Sequence, residues 1–274
     1  MKPVATIILN RNLPEATDRL HDQIVQYNDK LTDVFVVEAG SDDSNLSQNT
    51  TWHADWPEAR EHGLRYQRGM NFGLSQLVKE DKFKNYEAFF LLTNDSELEE
   101  KPVIATLVDI LERCPKIGIL SPCSKRWGER LLLQKKSTMF FWHIHNTAYL
   151  LRRGFVESIM EREDPNHMNM LFDGNNFRGY GADYELIAKA YLNDWGAAIT
   201  SEAWVEENES YLLNQADLIK TESYEENMRL YIAEGKEWMR RKYGFNSRWS
   251  MQMYVKFFYD QFFQYFPELE EYKI

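Results

Sequence analysis

Carboxylates and amides crowd the positions that follow three short apolar runs. Asn10, Arg11 and Asn12 follow the first, Glu38 with Asp42 and Asp43 the second, and Asn94, Asp95 and Glu97 the third. In an open α/β sheet, ligands bind outside the carboxyl ends of the strands, so three such clusters converge on one crevice. Oxygen-rich side chains suit a divalent cation: magnesium and manganese take oxygen ligands and keep several waters, so a single carboxylate can hold an ion that bridges diphosphate oxygens. Asp95 is placed for that. Any one cluster is also explained by turn and helix-cap chemistry, which favours Asn, Asp and Ser whatever the function. Their coincidence on one edge points to a site.

The elements that would position these groups alternate. Val4 to Leu9, Val34 to Ala39, Glu87 to Leu92 and Ile117 to Pro122 read as buried strands. Pro14 to Tyr27, Arg68 to Val78 and Pro102 to Arg113 read as helices, the first opened by its proline. Strand and helix in alternation predict an α/β core on a mostly parallel sheet. Past residue 123 the pattern changes. Thr138 to Leu151 is long and aromatic enough for one or two strands of a mixed sheet; Asp173 to Gly181 is polar and precedes a helix from Ala182 to Asn193; Ala197 to Val205 returns as a strand. From Thr221 two helices separated by Gly244 follow. Ser250 to Phe266 carries aromatic and Met side chains nearly all round a helix, so something must cover it. It lacks the basic face of an interfacial helix, which favours packing within the chain or in a homodimer over peripheral membrane contact.

Composition narrows the classes. The 274 residues carry 32 Lys and Arg against 43 Asp and Glu, a net charge of −11 that argues against nucleic acid as a partner. Cys114 and Cys123 form no C-x-x-C pair, so a thiolate zinc site or disulfide framework is not expected. No apolar run reaches the roughly 20 residues that span a bilayer, and the first is too short for a signal core. The expectation is a cytoplasmic protein, with peripheral contact at the inner face of a membrane the alternative. Neither G-x-x-x-x-G-K-[ST] nor G-x-G-x-x-G follows the first strand, so a nucleotide would be held without either phosphate loop.

The ordered segments resemble a family 2 glycosyltransferase of the GT-A type over roughly residues 3 to 210. PVATIILNRNLPEATDRL resembles the family's first strand and its Asn and Pro positions, VFVVEAGSDDSN its V-D-x-G-S-x-D segment, and RGMNFGL its R-N-x-G-[LI] helix start. FFLLTNDSEL resembles a variant of the metal-binding D-x-D. NTAYLLRRGFVESI and FRGYGADYELIAKAYLNDWG resemble the acceptor-side strand, helix and E-D-x-[DE]-L segment. The resemblance implies a GT-A domain over 1–210, with a nucleotide-sugar-binding half (1–122) and an acceptor half (123–210), and a helical extension over 211–274. It implies that Asn10, Arg11, Asn12, Glu38, Asp42, Arg68, Asn71, Asn94 and Asp95 surround a nucleotide-diphosphate sugar, with Asp95 on Mn²⁺ or Mg²⁺. Asp183 takes the slot of the catalytic base, with Glu185 beside it, for an inverting transfer to a hydroxyl of a glycan or lipid-linked glycan in cell-surface polysaccharide synthesis.

Departures from the pattern are specific. Glu38 stands where Asp is usual, Thr93 replaces the first Asp of D-x-D, Ala182 replaces the Glu of E-D, and a His often found after the last core strand is absent. Read from residues alone, Asp183 is better explained as a first-turn acid favourable to its helix dipole, and only the resemblance makes it a base. Trp142, His143 and Asn146 are acceptor-side candidates; His143 and His145 share a face if the segment is a strand. Two rival readings stay open: a non-catalytic glycan- or nucleotide-binding scaffold on the same fold, and a sugar-phosphate nucleotidylyltransferase, whose glycine-rich opening loop is missing here.

Overall fold

The computed structural model describes residues 2–126, 128–145, 147–208, 210, 214–215 and 217–274. Strand β1 (Val4–Asn10), buried along its whole length, pairs in parallel with β2 (Thr32–Glu38) on one side and β4 (Ala88–Thr93) on the other. A strand covered on both faces has no polar side to show, which is why it reads as an unbroken apolar run. Short β3 (Thr50–His53) adds to β2 in parallel. The sheet runs β3-β2-β1-β4-β8-β6-β9-β5, where β5 is Ser96–Leu98, β6 Ile117–Cys123, β8 Ala148–Arg152 and β9 Gly196–Glu207; β7 (Thr138–Phe140) also pairs with β9. β8 is antiparallel to both β4 and β6 and so joins the parallel half to the mixed half.

Among the described residues, six helices belong to this part: α1 (Pro14–Asn28), α2 (Pro57–His62), α3 (Arg65–Lys79), α4 (Val103–Arg113), α5 (Arg153–Ile159) and α6 (Ala182–Leu192). Register fixes the site's floor. Asn10 lies opposite Glu38 and Leu9 opposite Thr93, so three strands end together.

The segment from Thr138 to Leu151 supplies two strands of the mixed half, β7 and β8, as its length and aromatic content suggest; residues 141–145 lie between them without strand pairing. His143 and His145 therefore do not share a face by strand period, and their rings instead meet edge to face at 5.2 Å. β3, β5 and α2 went unread because runs of three to six residues with Thr, His, Glu and Arg carry no usable period.

The C-terminal helices, α7 (Tyr224–Tyr243) and α8 (Arg248–Tyr265), are parted by Gly244 at φ +71°, a left-handed cap that suits glycine. The aromatic face of α8 is covered by its own chain. Met251, Val255, Tyr259, Phe262 and Phe263 are buried; Tyr191 of α6 meets Tyr259 and Phe262 at 5.4 and 5.3 Å, and Tyr259 Oη donates to the Ile274 carbonyl at 2.7 Å. Trp249, Met253, Phe257 and Tyr265 remain exposed on the outer side. No described helix is long and apolar enough to cross a membrane. Phe262→Ala should cost about 3–5 kcal/mol of unfolding free energy in urea titration, as deletion of a buried aromatic does. Phe257→Ala, at 56% exposure, should stay within about 0.5 kcal/mol.

Candidate functional site

The Asn10 amide closes the floor of the crevice. Its Nδ2 donates to Glu38 at 2.8 Å, while its Oδ1 accepts from Asn94 Nδ2 at 2.8 Å and from the Leu13 amide at 3.1 Å. One buried side chain thus holds the ends of β1, β2 and β4 and the start of α1. Above it lies a cavity of about 210 Å³ whose wall includes Arg11, Arg65, Tyr66, Asn94, Asp95 and Lys220. Asn10, Arg11, Asn94 and Asp95 are brought together here as the sequence suggests. Arg65, Tyr66 and Lys220 are additions. Arg65 and Tyr66 open α3 just ahead of the R-x-x-N segment, and Lys220 sits on a strap whose position depends on long-range contacts, so neither carried a local signal.

Asp95 is the group with most to gain from a ligand. Its Oδ1 is buried and accepts no hydrogen bond. Burial holds its carboxyl above the ordinary range, against hydrogen bonds from the Thr93 hydroxyl and its own amide. An unsatisfied buried acceptor costs about 1–3 kcal/mol, which a cation or donor would offset. Among the described residues, no group of three or more His, Cys, Asp or Glu could hold a metal. The orphaned Oδ1 of Asp95 is an oxygen donor of the kind that suits a divalent ion keeping several of its own waters.

Asp183 begins α6 behind Gly181, at φ +84°. Burial pushes its carboxyl up to about 6, although the Asp183 and Tyr184 backbone N–H groups favour the charged form. Its charge reaches the pocket: burial and then Asp183 raise the phenol of Tyr66, whose Oη is itself unpartnered. Next to Asp183, Gln252 Nε2 donates to Tyr184 Oη at 2.7 Å, so the single Tyr184 proton goes to His143 Nδ1 at 2.9 Å. That leaves neutral His143 with its proton on Nε2, and burial lowers its tendency to take a second. Trp142 stacks edge-on to His143 with 6.0 Å between rings, while Asn146 lies outside the described residues.

Other candidates spend their polar atoms on the chain itself. Glu38 accepts from Asn10, from Ser41 at 2.5 Å, from the Ser47 amide at 2.9 Å and from Thr50 at 3.0 Å. Asn71 donates to the His167 and Phe172 carbonyls and accepts from the Leu171 and Phe172 amides, pinning 167–172 to α3. Arg68 reaches the Gly174 carbonyl at 2.8 Å and lies over Phe177. Glu185 accepts from Tyr243 Oη and pairs with Lys242 at 2.7 Å, locking α6 to α7. Asn12, at φ +57°, bonds the Leu218 carbonyl at 2.8 Å, and Asp42 pairs with Lys220 at 2.5 Å, which lowers the Asp42 carboxyl. Lys125 and Arg126 face Glu99 and Glu206.

No protein-family model matches the sequence, and a comparison with curated proteins finds no match. Solved structures do match. Residues 1–349 of Staphylococcus aureus TarS superpose with a TM-score of 0.52 at 15% identity, covering 85% of this chain and 65% of that one. GalNAc-T7, solved with UDP, GalNAc and Mn²⁺, gives 0.54 at 12% identity over 96% of this chain. TarS 1–349 with UDP gives 0.50 at 12% identity over 88%. The chain spans 56% of GalNAc-T7 and 65% of the first TarS structure. Its fold is that of the GT-A glycosyltransferases.

The raised Asp183 carboxyl has a stability signature. The folded protein keeps a proton that the unfolded chain loses above about 3.8, so stability falls as pH rises from there through about 6. The penalty is on the order of 2–3 kcal/mol above that window and absent below it. Asp183→Asn should therefore melt higher than wild type at about pH 7.5 and equally at about pH 3.5 in thermal denaturation.

Proposed function

We propose that this chain transfers a sugar from a nucleotide-diphosphate sugar to a hydroxyl of a glycan or lipid-linked glycan, with inversion, in cell-surface polysaccharide synthesis. The observation that carries the reading is the Asp183 carboxyl. It is held at about 6 beside a strand-end pocket that contains the unsatisfied Asp95, on a GT-A fold. A general base works best when its pKa lies near the working pH, and a group at about 6 is mostly ionised at neutral pH yet basic enough to accept a hydroxyl proton. Tyr66 lines the pocket and feels the Asp183 charge, and neutral His143 with Trp142 is available to orient the acceptor.

Asp95 would hold a Mn²⁺ or Mg²⁺ ion, with the Thr93 hydroxyl bonded to its carboxylate. Bound there, the ion supplies positive charge to the departing diphosphate. Asn10 and Asn94 fix the strand ends that carry this carboxylate, and a 1 Å error in such placement can cost about 100-fold in rate. The same reading takes the outward stripe of α8 as the place of contact with a second copy or a membrane surface. A non-catalytic nucleotide-binding scaffold is the second reading, favoured by the single carboxylate left by Thr93.

Purified protein with Mn²⁺ or Mg²⁺ should consume at least one of a panel of nucleotide sugars in the presence of glycan acceptors, with kcat/KM rising as pH passes about 6. Asp183→Asn should lower kcat at least about 100-fold while leaving donor binding intact, in line with loss of a general base. Metal-dependent donor binding without any turnover would select the scaffold.

A further inference from the structure

Helix α8 carries large apolar side chains on the face it turns away from the chain as well as on the face it buries. Met251, Val255, Tyr259 and Phe262 fix the inner face, while Trp249, Met253 and Phe257 stand outward at 68%, 63% and 56% exposure. A surface helix ordinarily gives its outward positions to charged and polar residues. These three recur every fourth residue and so form one i±4 row over two turns, the kind of ridge that packs between the ridges of another helix. Tyr265, exposed as well, falls about 160° round the helix from Trp249 and lies off the row.

Charge and area select the occupant. Lys256 pairs with Asp260 at 2.5 Å, and Lys273 joins Asp260 and Glu270 at 3.3 and 3.5 Å, so the ionised groups beside the row are neutralised within the copy. An anionic membrane surface would need free basic side chains there, and the net charge of −11 opposes it further. Two copies of such a chain also repel, but contact over a neutral row brings no like charges together, and the remainder is screened beyond about 8 Å at physiological salt. Aromatic side chains bury roughly 150–250 Å² each, so the exposed parts of these three offer about 400 Å² of apolar surface per copy. Two copies cover about 800 Å², and an interface about 60% apolar then totals about 1,300 Å², the low end of stable pairs. The buried side of α8 already holds the row rigid, so little ordering cost attends the contact.

We infer that this chain forms a two-fold dimer through α8, the helices crossing antiparallel at Met253. The two-fold places Trp249 of each copy against Phe257 of the other, Met253 on its own counterpart and Lys256 across from Ser250, so aromatic meets aromatic twice and no like charges face. An area of this size gives a reversible dimer with a dissociation constant of micromolar order. The inference rests on the proposed reading only for the choice of face, which it commits to one occupant; glycosyl transfer plays no part in it.

Sedimentation velocity of the full chain tests the pairing. Wild type should pass from one chain to two between about 1 and 100 µM, Trp249→Lys and Phe257→Glu should each weaken self-association at least tenfold, and Tyr265→Lys should leave it unchanged. Mixed in equal amounts, the Trp249→Lys and Phe257→Glu proteins should pair again, because one crossed contact becomes Lys against Glu and the other is wild type. A wild type that stays a single chain at about 100 µM overturns the dimer without any variant, so misfolding of a substituted protein cannot shield the inference. Wild-type self-association in both single variants overturns α8 as its surface, and failure of the mixture to pair overturns the antiparallel register. Flotation of wild type with phosphatidylcholine and phosphatidylglycerol vesicles, lost in Phe257→Glu, would assign the row to a membrane instead. A dimeric wild type that turns over no nucleotide sugar would remove the transferase reading and leave the dimer standing.

Discussion

Three parallel strands stop side by side, and the buried amide of Asn10 is what joins their ends. It gives a proton to Glu38 and takes one from Asn94, so a residue on β1 fixes the loop after β2 and the loop after β4 at once. A buried amide with those partners rigidifies because each lost bond would leave a neighbour unsatisfied in a low-dielectric interior. Asp95 sits one residue beyond Asn94 and Arg11 one beyond Asn10, so the opposed charges of the pocket inherit their separation from this amide. Ser41, Ser47 and Thr50 complete the shell of Glu38 and hold the loop after β2 to the same frame.

A second frame positions Asp183. Trp238 Nε1 and Lys242 both reach Asp173, at 3.0 and 2.7 Å; Lys242 and Tyr243 reach Glu185; Gln252 reaches Tyr184. Helices α7 and α8 therefore hold the first turn of α6 from outside. Lys242 keeps its charge although burial opposes it, because Asp173 and Glu185 flank it. The aromatic run of α8 belongs to this arrangement: Tyr259, Phe262 and Phe263 anchor the helix that carries Gln252.

Much of the sheet was legible in the sequence because β1, β2, β4 and β6 are buried on both faces and so show as apolar runs. The clusters past those runs pointed to the right edge. What composition could not distinguish was whether a polar side chain at that edge faces a ligand or its own backbone. Glu38, Asn71 and Glu185 have the atoms of ligand-binding residues, and in this structure those atoms are satisfied internally. Arg65 and Lys220 were unreadable for the opposite reason: each is one more surface-type cation in sequence, and only tertiary placement brings it to the pocket wall that Arg11 shares. The antiparallel insertion of β8 between β4 and β6 likewise follows from no local pattern.

The strap that carries Lys220 is encoded 178 positions after its partner Asp42 and 206 after Leu218's partner Asn12. Contacts of that sequence separation form late, because loop closure must precede them. The roof over the strand ends, and with it the Thr221 and Glu222 partners of Arg65, therefore comes from a part of the chain made long after β1, β2 and β4.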